Sequence, residues 1–355
     1  MTYPIDPDNG LLVSRYQALI NPVQKLELYG FNGTLKKTYD AMPAYNYNGE
    51  FYILDTFNTG DIATANYYNT GLTLLLDKNG QIKQQQIVAN YRTTDAQAGY
   101  YIKDENNILL RNKTNNICNY INIGQGIISN NRNLNIIPYS TPFFEQDGLV
   151  YSFISSGNYP GPYQLTFYKG LIPVLNIKNV PPLGDFAMKH FSPTGDLYIT
   201  NQVTYNSSNP YSNIGANTVT TYIFKYNIYS NVFSTYYSSS ASTTDQWILS
   251  NYFIQDIAID YAGNVYAVMS TSTGSPNITM QIIQITGSSS FSVLATIDSV
   301  NDAGNDVPVM SIATLYTNTV EFSKYANVAK TPYPSTIEAY KVIPPDIPIA
   351  PIINV

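Results

Sequence analysis

Three carboxylates in strand-like stretches, Glu145, Asp185 and Asp256, are the side chains best suited to acid–base work. Cleaving a glycosidic bond needs two carboxyl groups facing each other at a separation set by the mechanism. These three sit on separate segments, and nothing in their spacing makes them converge. His190, the one histidine, lies between Lys189 and Phe191 and is of the side-chain type that acid–base catalysis uses; the reading adopted is a packed or surface side chain. Ser288-Ser289-Ser290 forms a hairpin turn with no nucleophile-elbow pattern around it. One cysteine, Cys118, excludes a disulfide framework and every multi-thiolate metal site, and one histidine excludes multi-histidine centres. Oxygen-rich turns at Asp6-Pro7-Asp8-Asn9-Gly10 and from Asp298 to Asp306 have the ligand type for calcium. Asp and Asn also build turns by bonding their own backbone, and that is the reading adopted. The expectation is no catalytic residue, no metal and no cofactor.

The composition narrows the field further. Charged residues make up 12% of the 355 positions, about half the ordinary quarter, whereas tyrosine supplies 33. Only 18 residues are basic and the net charge is −6, so no phosphate-binding patch is visible and nucleic acid is not an expected partner. No apolar run reaches membrane-span length. The opening Met1-Thr-Tyr-Pro-Ile-Asp6 lacks the basic and apolar regions of a signal peptide. A surface of hydroxyls, amides and phenols changes little as pH falls, unlike one of carboxylates. That suits an acidic or otherwise harsh exterior; lineage bias is the alternative. The sequons at Asn32, Asn112, Asn206 and Asn277 permit glycosylation without indicating it.

The elements that would position these residues are strands. Helical periodicity is nearly absent, while short apolar or alternating runs bounded by Gly, Asn and Pro recur throughout. One shape repeats: strand, tight Asp/Gly/Asn turn, returning strand with a tyrosine. It is clearest at Ile257 to Val268, where Asp260-Tyr-Ala-Gly263-Asn264 makes the turn and Tyr266 follows, and at Phe186 to Ile199, turning at Gly195. Further copies turn at Gly10, Gly49, Asn107 and Gly148, and a last one near Asn318. Between them lies a second hairpin, as at Asn32-Gly33, Asn79-Gly80, Gly170 and Gly287. Asn-Gly between two strand-like runs is a strong hairpin signal. Four strands per unit and seven units predict an all-β, single β-propeller of seven four-stranded antiparallel blades; six blades, a β-sandwich pair or a β-helix are the alternatives.

The strand–Asp–turn–Gly-Asn-apolar-Tyr segment resembles the NHL and YVTN-type propeller repeat, most closely at 257–268 and 186–199. The resemblance implies a fold rather than an activity. Kelch-type Gly-Gly pairs and the Trp-Asp signature are absent, and Ser192-Pro-Thr-Gly195-Asp196 departs from the sialidase-type Asp box.

With strands A to D in each blade, the B–C and D–A connections share one face and the A–B and C–D turns the other. Long B–C loops are expected at 56–70, 155–162, 205–218, 270–277 and 326–335. Their Tyr, Asn, Ser and Gly content is the mixture antibody paratopes use. Tyr67, Tyr68, Tyr159, Tyr205, Asn206, Tyr211 and Tyr333 are therefore candidate binding residues, with Trp247 on a D–A connection of the same face. Residues 1–343 are assigned to the propeller, with a first blade that begins at its own A strand and so lacks a shared-blade latch. Residues 344–355 form a Pro-rich tail, in which Pro344, Pro345, Ile347 and Pro351 suit a docking segment or an edge strand.

The Tyr/Asn/Ser/Thr-rich, Lys- and His-poor composition without a signal peptide resembles virion proteins of hyperthermoacidophilic archaeal viruses. That resemblance implies a non-enzymatic virion surface, tail or spike component, at a virion or extracellular surface. Its partners would be protein subunits of a larger assembly or surface glycans. An intracellular interaction scaffold and an extracellular propeller enzyme acting on polysaccharide are the alternatives.

Overall fold

The computed structural model describes residues 9–17, 23–39, 51–56, 61–66, 72–77, 79–87, 100–102, 107–111, 118–122, 126–127, 137, 140–146, 149–157, 163–180, 189–192, 195–205, 218–242, 253–260, 262–274, 277–301 and 309–315. Their secondary structure is all β. Blade 1 holds β1 (Gly10–Gln17), β2 (Val23–Tyr29) and β3 (Leu35–Tyr39). Blade 2 is β4 (Phe51–Thr56), β5 (Ile62–Asn66), β6 (Leu72–Leu76) and β7 (Ile82–Ile87). Blade 3 is β8 (Tyr100–Ile102), β9 (Asn107–Arg111), β10 (Cys118–Asn122) and β11 (Gly126–Ile127). Blade 4 is β12 (Thr141–Gln146), β13 (Leu149–Ser156), β14 (Tyr163–Lys169) and β15 (Ile172–Val180). Blade 5 is β16 (Lys189–Phe191), β17 (Asp196–Tyr205), β18 (Thr218–Asn227) and β19 (Val232–Ser242). Blade 6 is β20 (Phe253–Ile259), β21 (Val265–Gly274), β22 (Asn277–Gly287) and β23 (Ser290–Asn301), and β24 (Val309–Leu315) comes last.

The described residues thus form six four-stranded sheets, not seven. The miscount has a physical origin. β24 does not open a further blade; it pairs antiparallel with β1, from Gly10↔Leu315 to Tyr16↔Val309, and becomes the inner strand of blade 1. The repeat copies that turn at Gly10 and near Asn318 are therefore two halves of one blade, split by the chain ends. The expected absence of a shared-blade latch is corrected by the same pairing. A second correction concerns blade 2: its first two strands are β4 and β5, joined through 57–61, so the A–B turn is not at Asn48-Gly49. Those two residues lie outside the described set, as does the tail 344–355.

Inner strands pack side by side in the order β8, β12, β16, β20, β24, β4. Because each blade is covered on both faces, its central strands hold runs of consecutive buried residues, as at 11–14 and 197–201, and period two instead decides which neighbour a side chain meets. Leu11, Val13 and Ile312 join Ala258, Tyr266 and Ile282 between blades 1 and 6. Leu12, Ala313 and Leu315 point the other way, to Ile53, Ile62 and Leu76 of blade 2. Between blades 4 and 5 the filling is aromatic: Phe167 stacks on Tyr226 at 3.9 Å, and Phe144 on Phe191 at 4.5 Å, between ring centroids.

The short turns share one geometry. In 30–34, 77–81, 192–196 and 260–264 the first residue's N–H donates to the carbonyl of the fifth, and the fourth residue's N–H to the carbonyl of the first. The fourth residue is glycine each time, at φ of 81° to 84°, the left-handed region that side chains resist. At 260–264 the Asp260 Oδ1 accepts from the N–H of Ala262 and Asn264, while Oδ2 accepts from Asn264 Nδ2 and the Tyr266 hydroxyl. The repeat's signature Asp and Tyr therefore hold a turn together. Asp260→Ala is expected to lower stability by about 1–3 kcal/mol through the amides it strands, read as a shift in the denaturant midpoint. A change within experimental error would mean that water replaces the carboxylate without loss.

Candidate functional site

Strand direction sorts the connections onto two faces. Within blades, the A–B and C–D turns take two to five residues. On the opposite, loop face, the D–A connections between blades take seven to thirteen, at 40–50, 88–99, 128–140, 181–188, 243–252 and 302–308. The expected set of long B–C loops is corrected here. Of the five, 326–335 lies outside the described residues; among the other four, 206–217 between β17 and β18 is the one long insertion, and 157–162 joins β13 to β14. The 56–70 stretch contains the A–B turn and the whole of β5, and β21 runs to Gly274, leaving only 275–276 before β22. The length predicted for B–C loops sits mostly in D–A connections, on the same face.

Tyr205 is the last residue of β17, at the loop-face end. Asn206 and Tyr211 belong to the connection that follows it, Tyr67 and Tyr68 to 67–71, Tyr159 to 157–162, and Trp247 to 243–252. These six lie outside the described residues, but their connections all leave from and return to one face. Tyr333, Pro344, Pro345, Ile347 and Pro351 also lie outside the described residues, on the stretch after β24. β24 ends beside Gly10 at the turn face, so that stretch departs from the side opposite the loops. Residues 302–308 of the oxygen-rich run are undescribed too, and among the described residues no three His, Cys, Asp or Glu side chains gather as a metal would require.

Of the three carboxylates, Asp185 is outside the described residues. Glu145 is on β12 of blade 4 and Asp256 on β20 of blade 6, with the inner strand β16 of blade 5 between them. An extra residue interrupts the pairing of the inner strands of blades 2, 4 and 6, at Leu54, Phe143 and Gln255. Such bulges re-aim the side chain after them. In blade 4 that side chain is Phe144, a core aromatic, and in blade 6 it is Asp256. Asp256 is buried; its Oδ1 accepts from Ile257 N–H at 2.8 Å and its Oδ2 from Ile312 N–H of β24 at 2.9 Å. Burial pushes its pKa up to about 7 against the pull of these two amides.

β24 is fastened on both sides by such contacts, a seam that sequence reasoning missed. Thr314 Oγ1 donates to the Ile259 carbonyl of β20 at 3.4 Å. Toward blade 2, Ser311 Oγ accepts from Ile53 N–H at 2.8 Å, and Thr56 Oγ1 donates to the Thr314 carbonyl. The signal in the sequence was Ser311 and Thr314 interrupting an apolar run. Small hydroxyls at buried strand positions mark bonds to a neighbouring backbone.

The repeat tyrosines are structural as well. Tyr198 lies under Lys225 Nζ at 5.5 Å and Tyr151 under Lys169 Nζ at 5.4 Å, each the cross-strand partner of its lysine. Burial first, and the nearby Asp196 second, raise the Tyr198 pKa; burial and Asp260 raise that of Tyr266. These phenols stay protonated, and Tyr266 therefore serves as a donor. Lys225 Nζ is 2.9 Å from Asp196 Oδ2, and Asn227 Nδ2 donates to Asp196 Oδ1, tying the start of β17 to the end of β18.

No protein-family model matches the chain, and no curated protein matches it. Among solved structures, TolB from Acinetobacter baumannii is similar over 87% of this chain and 67% of its own, with 12% identity and a TM-score of 0.44. A protein of unknown function from Bacteroides caccae is similar over 86% of this chain and 98% of its own, with 9% identity and a TM-score of 0.42. The β-propeller domain of the Trilobed protease from Pyrococcus furiosus, described as having an open velcro topology, is similar over 80% and 94%, with 8% identity and a TM-score of 0.36.

Proposed function

We propose that this protein is a non-catalytic recognition and assembly module of an exterior surface, such as a virion carries, and that its loop face meets surface glycans or neighbouring protein subunits. The asymmetry of the connections supports this reading. A scaffold of short, internally bonded turns on one face carries the long connections between strands, with their Tyr and Asn, on the other, the arrangement in which binding residues are held by a rigid frame. Tyrosine provides wide amphipathic contact with little rotamer freedom to lose, and Asn and Ser provide adaptable hydrogen bonds. The scarcity of charge fits a surface whose properties hold as pH falls.

The test replaces 206–217, the longest B–C insertion, with an Asn-Gly turn, which joins antiparallel strands directly. Binding to a glycan array is then compared between parent and variant, alongside mass by light scattering at about pH 3 and about pH 7. The expected result is an unchanged melting temperature with loss of glycan binding or of assembly. A parent that stays a monomer of 39.5 kDa at both pH values and binds no glycan would overturn the proposal. So would turnover of a polysaccharide by the parent chain.

A further inference from the structure

The seam at β24 contains a group that none of the proposed binding uses. Asp256 is buried between β20 and β24, and both its oxygens face backbone amides. Among the described residues no cation pairs with it. A buried carboxylate without a counter-charge favours its neutral form, because burial removes the water that stabilised the charge. Its place matters as much as its chemistry. Ile312 N–H belongs to the strand that closes the ring, and Ile312 itself packs into the core between blades 1 and 6.

We propose that Asp256 makes the ring closure acid-tightened: protonated, it sits between β20 and β24 as a neutral group, and ionised, it buries beside the strand that joins the two ends of the chain a charge that two amides hydrogen-bond but that no cation among the described residues neutralises. Among the described elements packed on β20, the cationic side chains are Lys189 and His190 of β16. β24 carries no titratable residue. On β21 the titratable group is Tyr266, whose hydroxyl is engaged by Asp260. On β17, Asp196 is paired with Lys225, while Tyr198 lies beneath that lysine and Tyr205 ends the strand. Lys189 and His190 stand on β16, the adjacent inner strand.

The sign comes from linkage. The Asp256 pKa rises from 3.8 to about 7 through burial, against the two amides that lower it. Between these values the folded chain holds a proton that the unfolded chain has lost, so stability is highest below about pH 4 for this group and falls as pH rises toward 7. The unfolding equilibrium then shifts by up to about tenfold per pH unit within that window, and levels off above it.

The experiment measures unfolding midpoints of the full chain across pH 4 to 8, taken about one unit apart, for the parent, Asp256→Asn and His190→Gln. The expected result is a parent profile that declines with pH, a markedly flatter one for Asp256→Asn, and a decline retained in His190→Gln. An equal decline in parent and Asp256→Asn, or one abolished by His190→Gln alone, would overturn the proposal. Should Asp256→Asn fail to fold, the carboxyl carbon of Asp256 is followed by NMR in the parent chain. A midpoint above about pH 6 supports the proposal, and one below about pH 5, in the ordinary carboxylate range, overturns it.

Discussion

Phe167→Ala lowers stability by roughly 3–5 kcal/mol, the upper range for deleting a buried aromatic. Phe167 is fully buried in β14, stacked on Tyr226 of the next blade and within 6.0 Å of the rings of Phe153 and Phe233. Its removal opens a cavity between two sheets whose backbones are each fixed by their own ladders, so collapse can fill little of it. Guanidinium unfolding followed by tyrosine fluorescence reads the loss. Phe167→Leu should recover part of it, because leucine fills more of the space than alanine and the cost grows with the cavity left behind. Leu171→Ala, at a site 55% exposed on the adjoining turn, should stay within about 0.5 kcal/mol of the parent. A Phe167→Ala loss no larger than that of Leu171→Ala would mean that the blades slide together to close the gap, and that the aromatic seam is not what holds blade 4 to blade 5.

The second large effect separates backbone strain from blade contact. Gly33 and Gly263 occupy the same place in the same turn, at φ of 83° and 84°. A Cβ at Gly263 would meet nothing within 4 Å, whereas one at Gly33 would lie 2.1 Å from the Leu294 carbonyl oxygen of blade 6. Gly263→Ala therefore bears only the left-handed penalty of about 1–2 kcal/mol. Gly33→Ala adds the displacement of the turn from β23, about 1–3 kcal/mol more by the usual scale of overpacking. Thermal midpoints of the two variants measure the difference. Equal midpoints would show that the blade 1 turn lifts off blade 6 freely. The same kind of contact recurs around the ring: the turn at Gly80 rests on Tyr39 of blade 1, and Ser288 of blade 6 accepts from the Ser238 N–H of blade 5. The C–D turn of one blade is seated on the outer strand of the blade before it.

Local chemistry alone determined the tight glycine turns and the strands that flank them. Asp260, Gly263, Asn264 and Tyr266 form a turn whose bonds all close within seven residues, so their types and spacing were enough to read it. The same holds for Asn32-Gly33 and Asn79-Gly80 and for the grouping into four-stranded units. Tertiary structure alone decided how many blades there are. Gly10 and Leu315 are distant in sequence, and nothing near either records that they pair, so one closing blade reads as two partial ones. It also decided where the loop length falls. The stretch Ile62–Asn66 inside 56–70 is strand or loop according to whether β4 lies beside it, which local propensity does not encode. Asp256 shows the same limit at a single side chain. Its type was legible as a candidate acid, but its burial and its two amide partners arise from a bulge at Gln255 and from a strand that arrives at residue 309. A carboxylate's environment is made by whatever packs against it, and here that comes from the far end of the chain.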